Sequence, residues 1–138
     1  MPTTGAELRG GCLCGTVRYR LTAEPFDAGW CHCRTCQLNS GSPAMAFASV
    51  PVENYLIEQG TGAIRRYASS DTAERWFCSN CGTPLLFREL DGATHDFSIA
   101  TLDRPEAVEP AFHIWYASHI PWAEPGDDLP KYPRRSSE

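Results

Sequence analysis

Seven cysteines in 138 residues, grouped in three tight clusters, constrain this chain more than any other feature. Cys12-Leu13-Cys14-Gly15 and Cys78-Ser79-Asn80-Cys81-Gly82 each present two thiols from one compact turn. Each is followed by glycine, which can take positive φ and let backbone N–H groups point at sulfur. Together they offer four soft ligands, the number a tetrahedral zinc site wants. Because these turns lie far apart in the chain, a shared metal would close a loop of most of the sequence and help fix the fold. The alternative is four buried free cysteines, which two glycine-followed pairs disfavour.

Cys31-His32-Cys33-Arg34-Thr35-Cys36 is a different object. Cys31 and Cys33 share a face if the backbone is extended, and Cys33 and Cys36 meet if a helix starts there. With no eighth cysteine to complete the set, a zinc held here keeps an open position for water or a substrate thiolate, the mark of a catalytic site. Two other readings stay open: a redox pair with a bystander, or a second structural site closed by His32. If Cys31 and Cys33 share a face, His32 points away from the metal, toward a neighbouring or substrate-side role.

An odd cysteine count suits metal binding better than a disulfide framework. Met1 to Glu7 contains no basic region followed by an apolar stretch, so no secretory signal is expected and a cytoplasmic location follows by default. No apolar run approaches membrane-spanning length. The formal net charge of −5 argues against binding a nucleic-acid backbone. The positive charge is nearly all arginine, with Lys131 the only lysine. Arginine holds carboxylates through paired hydrogen bonds, which suits a small acidic ligand.

A hydrophobic content of 42% and this length predict one globular domain over 1–138, with its core from about Arg9 to Tyr132. Short strands are expected at Thr16–Leu21, Ala44–Val50, Asn54–Glu58, Ala63–Tyr67, His95–Ala100 and Phe112–Tyr116. Arg75–Phe77 and Leu85–Arg88 flank a cysteine turn and should pair as a hairpin. Only Cys33–Ser40, stopped by Gly41, reads as a short helix. From Pro121 onward a proline-rich tail is expected to lie on the body through Trp122, Leu129 and Tyr132, with Arg134–Glu138 mobile. His113, in an apolar run, reads as a hydrogen-bonded core or rim residue. His95 and His119 carry no pattern, and the four tryptophans read as core.

The order of the motifs is distinctive. Gly11-Cys12-Leu13-Cys14-Gly15, Cys31-His32-Cys33-Arg34-Thr35-Cys36 and Phe77-Cys78-Ser79-Asn80-Cys81-Gly82-Thr83-Pro84-Leu85 together resemble the glutathione-dependent formaldehyde-activating enzyme family, which includes the zinc domain of centromere protein V. Thr101-Leu102-Asp103, His113-Ile114, Trp122 and Leu129-Pro130 extend the likeness to about Tyr132. The resemblance implies a mainly β "β-tent" of short antiparallel sheets organised around a structural zinc. It implies that Cys12, Cys14, Cys78 and Cys81 bind that zinc, and that Cys31, Cys33 and Cys36 bind a second, catalytic and labile one. The implied activity is that of a carbon–sulfur lyase joining a small thiol such as glutathione to formaldehyde, as in S-(hydroxymethyl)glutathione synthesis; the alternative is a non-catalytic zinc module that binds a protein partner. Beside the middle cluster, His32, Arg34 and the small-residue turn at Ser40 and Gly41 are the expected ligand contacts, with Trp122 a candidate cover.

Overall fold

A computed structural model of the chain describes residues 8–135. It is mainly β, as expected. A three-stranded antiparallel sheet joins β1 (Leu8–Gly11), β2 (Arg18–Leu21) and β5 (Tyr55–Gln59), in the order β1-β2-β5. The remaining strands are β3 (Phe26–Cys31), β4 (Met45–Pro51), β6 (Ile64–Ala68), β7 (Ala73–Cys78), β8 (Pro84–Glu89), β9 (Thr94–Ser98) and β10 (His113–Ile114). They form a seven-stranded sheet in the order β10-β3-β4-β9-β8-β7-β6. All its pairings are antiparallel except β10 beside β3. The single α-helix, α1 (Arg34–Ser40), starts at the middle cysteine cluster and ends on Gly41 at φ 68°.

The alternation of the large sheet explains both of its faces. Ala48 and Val50 on β4, Phe97 on β9, Leu86 on β8 and Trp76 on β7 point into the core shared with the small sheet. Tyr19 of β2 and Tyr55 of β5 meet them from the other side, stacked with ring centroids 4.5 Å apart. Tyr19 and Phe97 are fully buried, and each such side chain contributes about 1.5–3 kcal/mol by leaving water. The residues between these, Phe47, Ser49, Asp96, Phe87 and Arg75, belong to the opposite face and line a cavity there.

Two strands were not legible in the sequence. Gly10 and Gly11 lie in β1, for which no strand was expected, and a Cβ on Gly10 would fall 2.5 Å from the Tyr19 ring. In β3 the alternation is broken by a bulge between Phe26 and Gly29, and Asp27 has φ 51°. Gly29 is required by close approach, since a Cβ there would meet the Phe112 ring at 2.3 Å. The expected strand at Phe112–Tyr116 shrinks to His113–Ile114, because Trp115 turns to φ 54° and a 3-10 turn follows. The tail packs differently from expectation. Trp122 is 77% exposed. The tail is instead paired by its backbone: the His113 N–H donates to the Pro130 carbonyl (2.8 Å) and the Tyr132 N–H to the His113 carbonyl (2.9 Å). Tyr132 also meets Phe112 edge-on. Of Arg134–Glu138, the last three residues lie outside the described ones, and the Arg134 carbonyl accepts from the Trp115 N–H at 2.7 Å.

His95 gives the core a pH dependence. It is 4% exposed, between Trp76 and Tyr55. Burial, and then the charges of Arg88 and Arg66, hold its imidazole down to about 4 from 6.5, against the opposing pull of Glu74. The unfolded chain takes up this proton near the ordinary value while the folded chain refuses it. Stability therefore falls as pH drops through that window and levels off below it. Urea melts should show wild type losing about 2 kcal/mol more than His95→Gln between about pH 7 and about pH 5. Parallel profiles for the two proteins would show that His95 does not carry the effect.

Candidate metal centres

The first centre sits where the two sheets meet. Cys12 and Cys14 lie in the turn from β1 to β2, closed by a Gly15 N–H to Cys12 carbonyl bond (3.1 Å) with Gly15 at φ 81°. Cys78 ends β7, and Cys81 lies in the turn to β8, closed by a Gly82 N–H to Cys78 carbonyl bond (2.7 Å) with Gly82 at φ 83°. The Leu13 N–H donates to Thr83 Oγ1 at 3.0 Å and ties one turn to the other. All four sulfurs lie within 4.8 Å of one another and could hold a metal ion. Cys12 Sγ to Cys14 Sγ is 3.6 Å, and Cys14 Sγ to Cys78 Sγ is 3.9 Å. Sulfurs at the corners of a zinc tetrahedron, each about 2.3 Å from the ion, stand about 3.8 Å apart. The donor set and its spacing therefore suit zinc.

The surroundings favour thiolates at the surface of this centre. The Val17 N–H donates to Cys12 Sγ (3.2 Å) and Asn80 Nδ2 to Cys14 Sγ (3.2 Å). Thr16 and then Asn80 bring the Cys14 thiol down to about 7, and Thr83 brings Cys81 down to about 5. Burial pushes Cys78 the other way, to about 11, so the buried sulfur depends most on a metal for its charge.

The second centre lies across the large sheet. Cys31 ends β3, Cys33 caps α1 with its sulfur accepting from the Cys36 N–H (3.4 Å), and Cys36 sits inside the first turn. Their three sulfurs also lie within 4.8 Å of one another. Cys31 and Cys36 are buried and Cys33 is half-buried. The three share protons: contacts from Cys31 and Cys36 hold the Cys33 thiol far below the ordinary range, while Cys33 and Cys36 raise Cys31. No fourth cysteine joins this group among the described residues. The His32 side chain turns to His113, with Nε2 and Nδ1 2.8 Å apart, and His113 Nε2 lies 3.1 Å from both Asp127 oxygens. His32 thus tethers the cluster to the tail.

The three cysteines open onto a cavity of about 640 Å³. Its wall includes Phe47, Phe87 and Phe112 as well as Thr35 and Ser118. Asp27, Glu89 and Asp96 line it too; burial, and further the Glu89 and Asp27 charges, raise the Asp96 carboxyl. His32, Arg34, Ser40, Gly41 and Trp122 are not part of this lining. Arg34 donates along its own helix to Gln37 Oε1 (3.1 Å), Ser40 Oγ donates to the Cys36 carbonyl (2.8 Å), and Gly41 closes the helix. A cation does reach the cysteines: Arg75 Nη2 donates to Cys36 Sγ at 3.5 Å. Sequence reasoning missed it, because Arg75 comes from a distant strand. Strand alternation, which sets it opposite the core-facing Trp76, was the available signal.

A mainly β chain with two cysteine centres, one of four sulfurs between sheets and one of three beside a cavity, defines the class. The chain belongs to the glutathione-dependent formaldehyde-activating enzyme family, whose model matches residues 7–118. It is 31% identical to a Schizosaccharomyces pombe protein named as an uncharacterized lyase, over 75% of this chain and 85% of that protein. It is 29% identical to a Halomonas elongata protein provisionally named as a glutathione-dependent formaldehyde-activating enzyme, over 56% of this chain and 54% of that one. A crystal structure of a Rhodobacter sphaeroides protein shares the fold with a TM-score of 0.58 at 22% identity, covering 89% of this chain and 98% of that one.

The two centres should respond differently to loss of one ligand. A structural zinc is worth on the order of 10 kcal/mol, comparable to the whole net stability of a domain, about 5–15 kcal/mol. Cys78→Ser should therefore lack a cooperative thermal transition by circular dichroism. Cys33→Ser should keep its β spectrum and lose about one equivalent of metal by atomic emission. A folded Cys78→Ser protein beside an unfolded Cys33→Ser protein would reverse the assignment of the two centres.

Proposed function

We propose that this protein is a zinc-dependent carbon–sulfur lyase that joins a small thiol to formaldehyde or a related small electrophile, and splits the adduct in reverse. One observation carries the reading: Cys31, Cys33 and Cys36 converge on the wall of a cavity, not in a closed core. Three cysteines leave without a protein thiolate one of the four positions zinc usually takes. Cys12, Cys14, Cys78 and Cys81 would hold a structural zinc, and Cys31, Cys33 and Cys36 a second one. Bound at the second centre, zinc would supply Lewis acidity and a partner for thiolate sulfur.

In the synthetic direction, sulfur bonds to the carbonyl carbon, the C=O π pair moves to oxygen, and the proton lost by sulfur ends on that oxygen. This addition is intrinsically easy, so the protein's main contribution is orientation. Phe47, Phe87 and Phe112 give the wall an apolar side, and Thr35 and Ser118 bring hydroxyl groups to the same wall. Secondary structure positions each of the three cysteines: a strand end for Cys31, a helix cap for Cys33 and a first helical turn for Cys36. The names of the two curated relatives, a lyase and a formaldehyde-activating enzyme, support the same reading.

Exchange NMR on thiol and formaldehyde mixtures tests it. The protein should speed the interconversion of free thiol and hydroxymethyl adduct, and Cys36→Ala should remove the acceleration. If a fully metallated protein accelerates no small thiol, the chain is a binding module and not an enzyme.

A further inference from the structure

Arg75 is a buried cation that pairs with no carboxylate among the described residues. It is 6% exposed, yet it belongs to the cavity lining beside Cys31, Cys33 and Cys36. Its contacts are soft and weak: Nη2 to Cys36 Sγ at 3.5 Å, Nη1 to Met45 Sδ at 3.9 Å, and the guanidinium carbon 5.0 Å from the Phe87 ring centre. Its Nε has no acceptor among the described residues. A guanidinium carries more N–H donors than these contacts use, and leaving them idle away from water is costly. Arginines elsewhere on the protein find carboxylates, as Arg18 does with Asp103 and Arg20 with Glu58. Arg135, the other cation of the lining, is exposed.

The carboxylates of the same cavity do not serve as partners for Arg75. Asp96 accepts from Ser49 Oγ at 2.7 Å, and the charges acting on it are those of Glu89 and Asp27. On the sheet, Asp96 of β9 pairs with Phe87 of β8, and Phe87 pairs with Arg75 of β7. Phe87 therefore separates the acid from the base by two strand spacings, about 10 Å. An anion entering the cavity is repelled by the carboxylates and drawn to Arg75, which places its charge next to the cysteine sulfurs.

We propose that Arg75 is the specificity residue of the second centre and takes the carboxylate of the thiol substrate. This rests on the thiol-adduct reading above and narrows it to thiols that carry a carboxylate, held by the paired, charge-assisted hydrogen bonds a guanidinium offers. Arg34, expected from the sequence to do this, is occupied along its own helix and lies outside the cavity lining.

Calorimetric titration of the full-length, metal-loaded protein tests the proposal with three probes: 3-mercaptopropionate, the neutral 2-mercaptoethanol, and 3-(methylthio)propionate, which keeps the carboxylate and blocks the thiol. Wild type should prefer 3-mercaptopropionate to 2-mercaptoethanol by roughly tenfold to a hundredfold, the range of a charged hydrogen bond. Arg75→Met should abolish that preference, and Arg75→Lys should keep part of it. Metal content and circular dichroism are read on both variants, and if Arg75→Met does not fold, Arg75→Lys and Arg75→Gln supply the ratio. The proposal is overturned if the preference is absent in wild type or survives in Arg75→Met. It is equally overturned if both thiols weaken by one common factor, since Arg75 would then only neutralise the sulfurs. If 3-(methylthio)propionate binds as well as 3-mercaptopropionate, and both are lost in Arg75→Met, the anion site stands while the thiol reading fails.

Discussion

The rest of the structure depends on the four-sulfur contact between two turns that belong to different sheets. The β1–β2 turn comes from the small sheet and the β7–β8 turn from the large one, 64 residues apart between Cys14 and Cys78. Each sheet alone would expose one apolar face. Pinning the turns fixes how Tyr19 and Tyr55 are laid over Phe97, Val50 and Leu86. Without an ion, several sulfurs converging at about 4 Å gain little, and thiolates would repel one another. A metal ion held by these four sulfurs would make its binding and the closure of the sheets one event, since its binding free energy would be folding free energy.

That closure decides where chemistry can occur. With one face of the large sheet covered, its other face is left for a site, and strand alternation sends the complementary residues there. Phe47 and Ser49 alternate with Ala48 and Val50, and Arg75 with Trp76. The same strands thus serve the core through one set of side chains and the cavity through the other. The middle cysteine cluster borders this second face because β3 delivers Cys31 at its end, opposite Met45 of β4. A register slip of one residue in β7 would move Arg75 into the core and Trp76 into the cavity.

Much of this was legible in the sequence, and what was not has physical reasons. Cysteine spacing carries a geometric requirement, so the two groups and the helix at Cys33–Ser40 could be read directly. β4 and β8 were found to within one residue at each end, and β7 was found in place but short, as Arg75–Phe77 within Ala73–Cys78. β1 and β3 were hidden because their glycines are there for close contact with Tyr19 and Phe112, which only the tertiary structure reveals. The cavity wall was misplaced for a related reason. Sequence proximity pointed to Arg34, Ser40 and Gly41, but a short helix directs neighbours to several sides. Arg75 reaches Cys36 from 39 residues away, and no local pattern records such a contact.

Charge balance links Arg75 to the chemistry as well as to the fold. Three thiolates would more than neutralise a divalent ion and blunt its Lewis acidity compared with a histidine site. An N–H donated to Cys36 Sγ draws electron density away from that sulfur and moderates the effect. That surplus negative charge would offset the cost of a guanidinium at 6% exposure with no carboxylate partner among the described residues. The cluster and Arg75 therefore stabilise each other as a pair of opposite charges at the cavity wall. A thiol substrate that brought no charge would leave that pair unchanged. One that brought a carboxylate would engage the donors that the sulfurs leave idle, so affinity at this site follows the charge of the ligand as well as its sulfur.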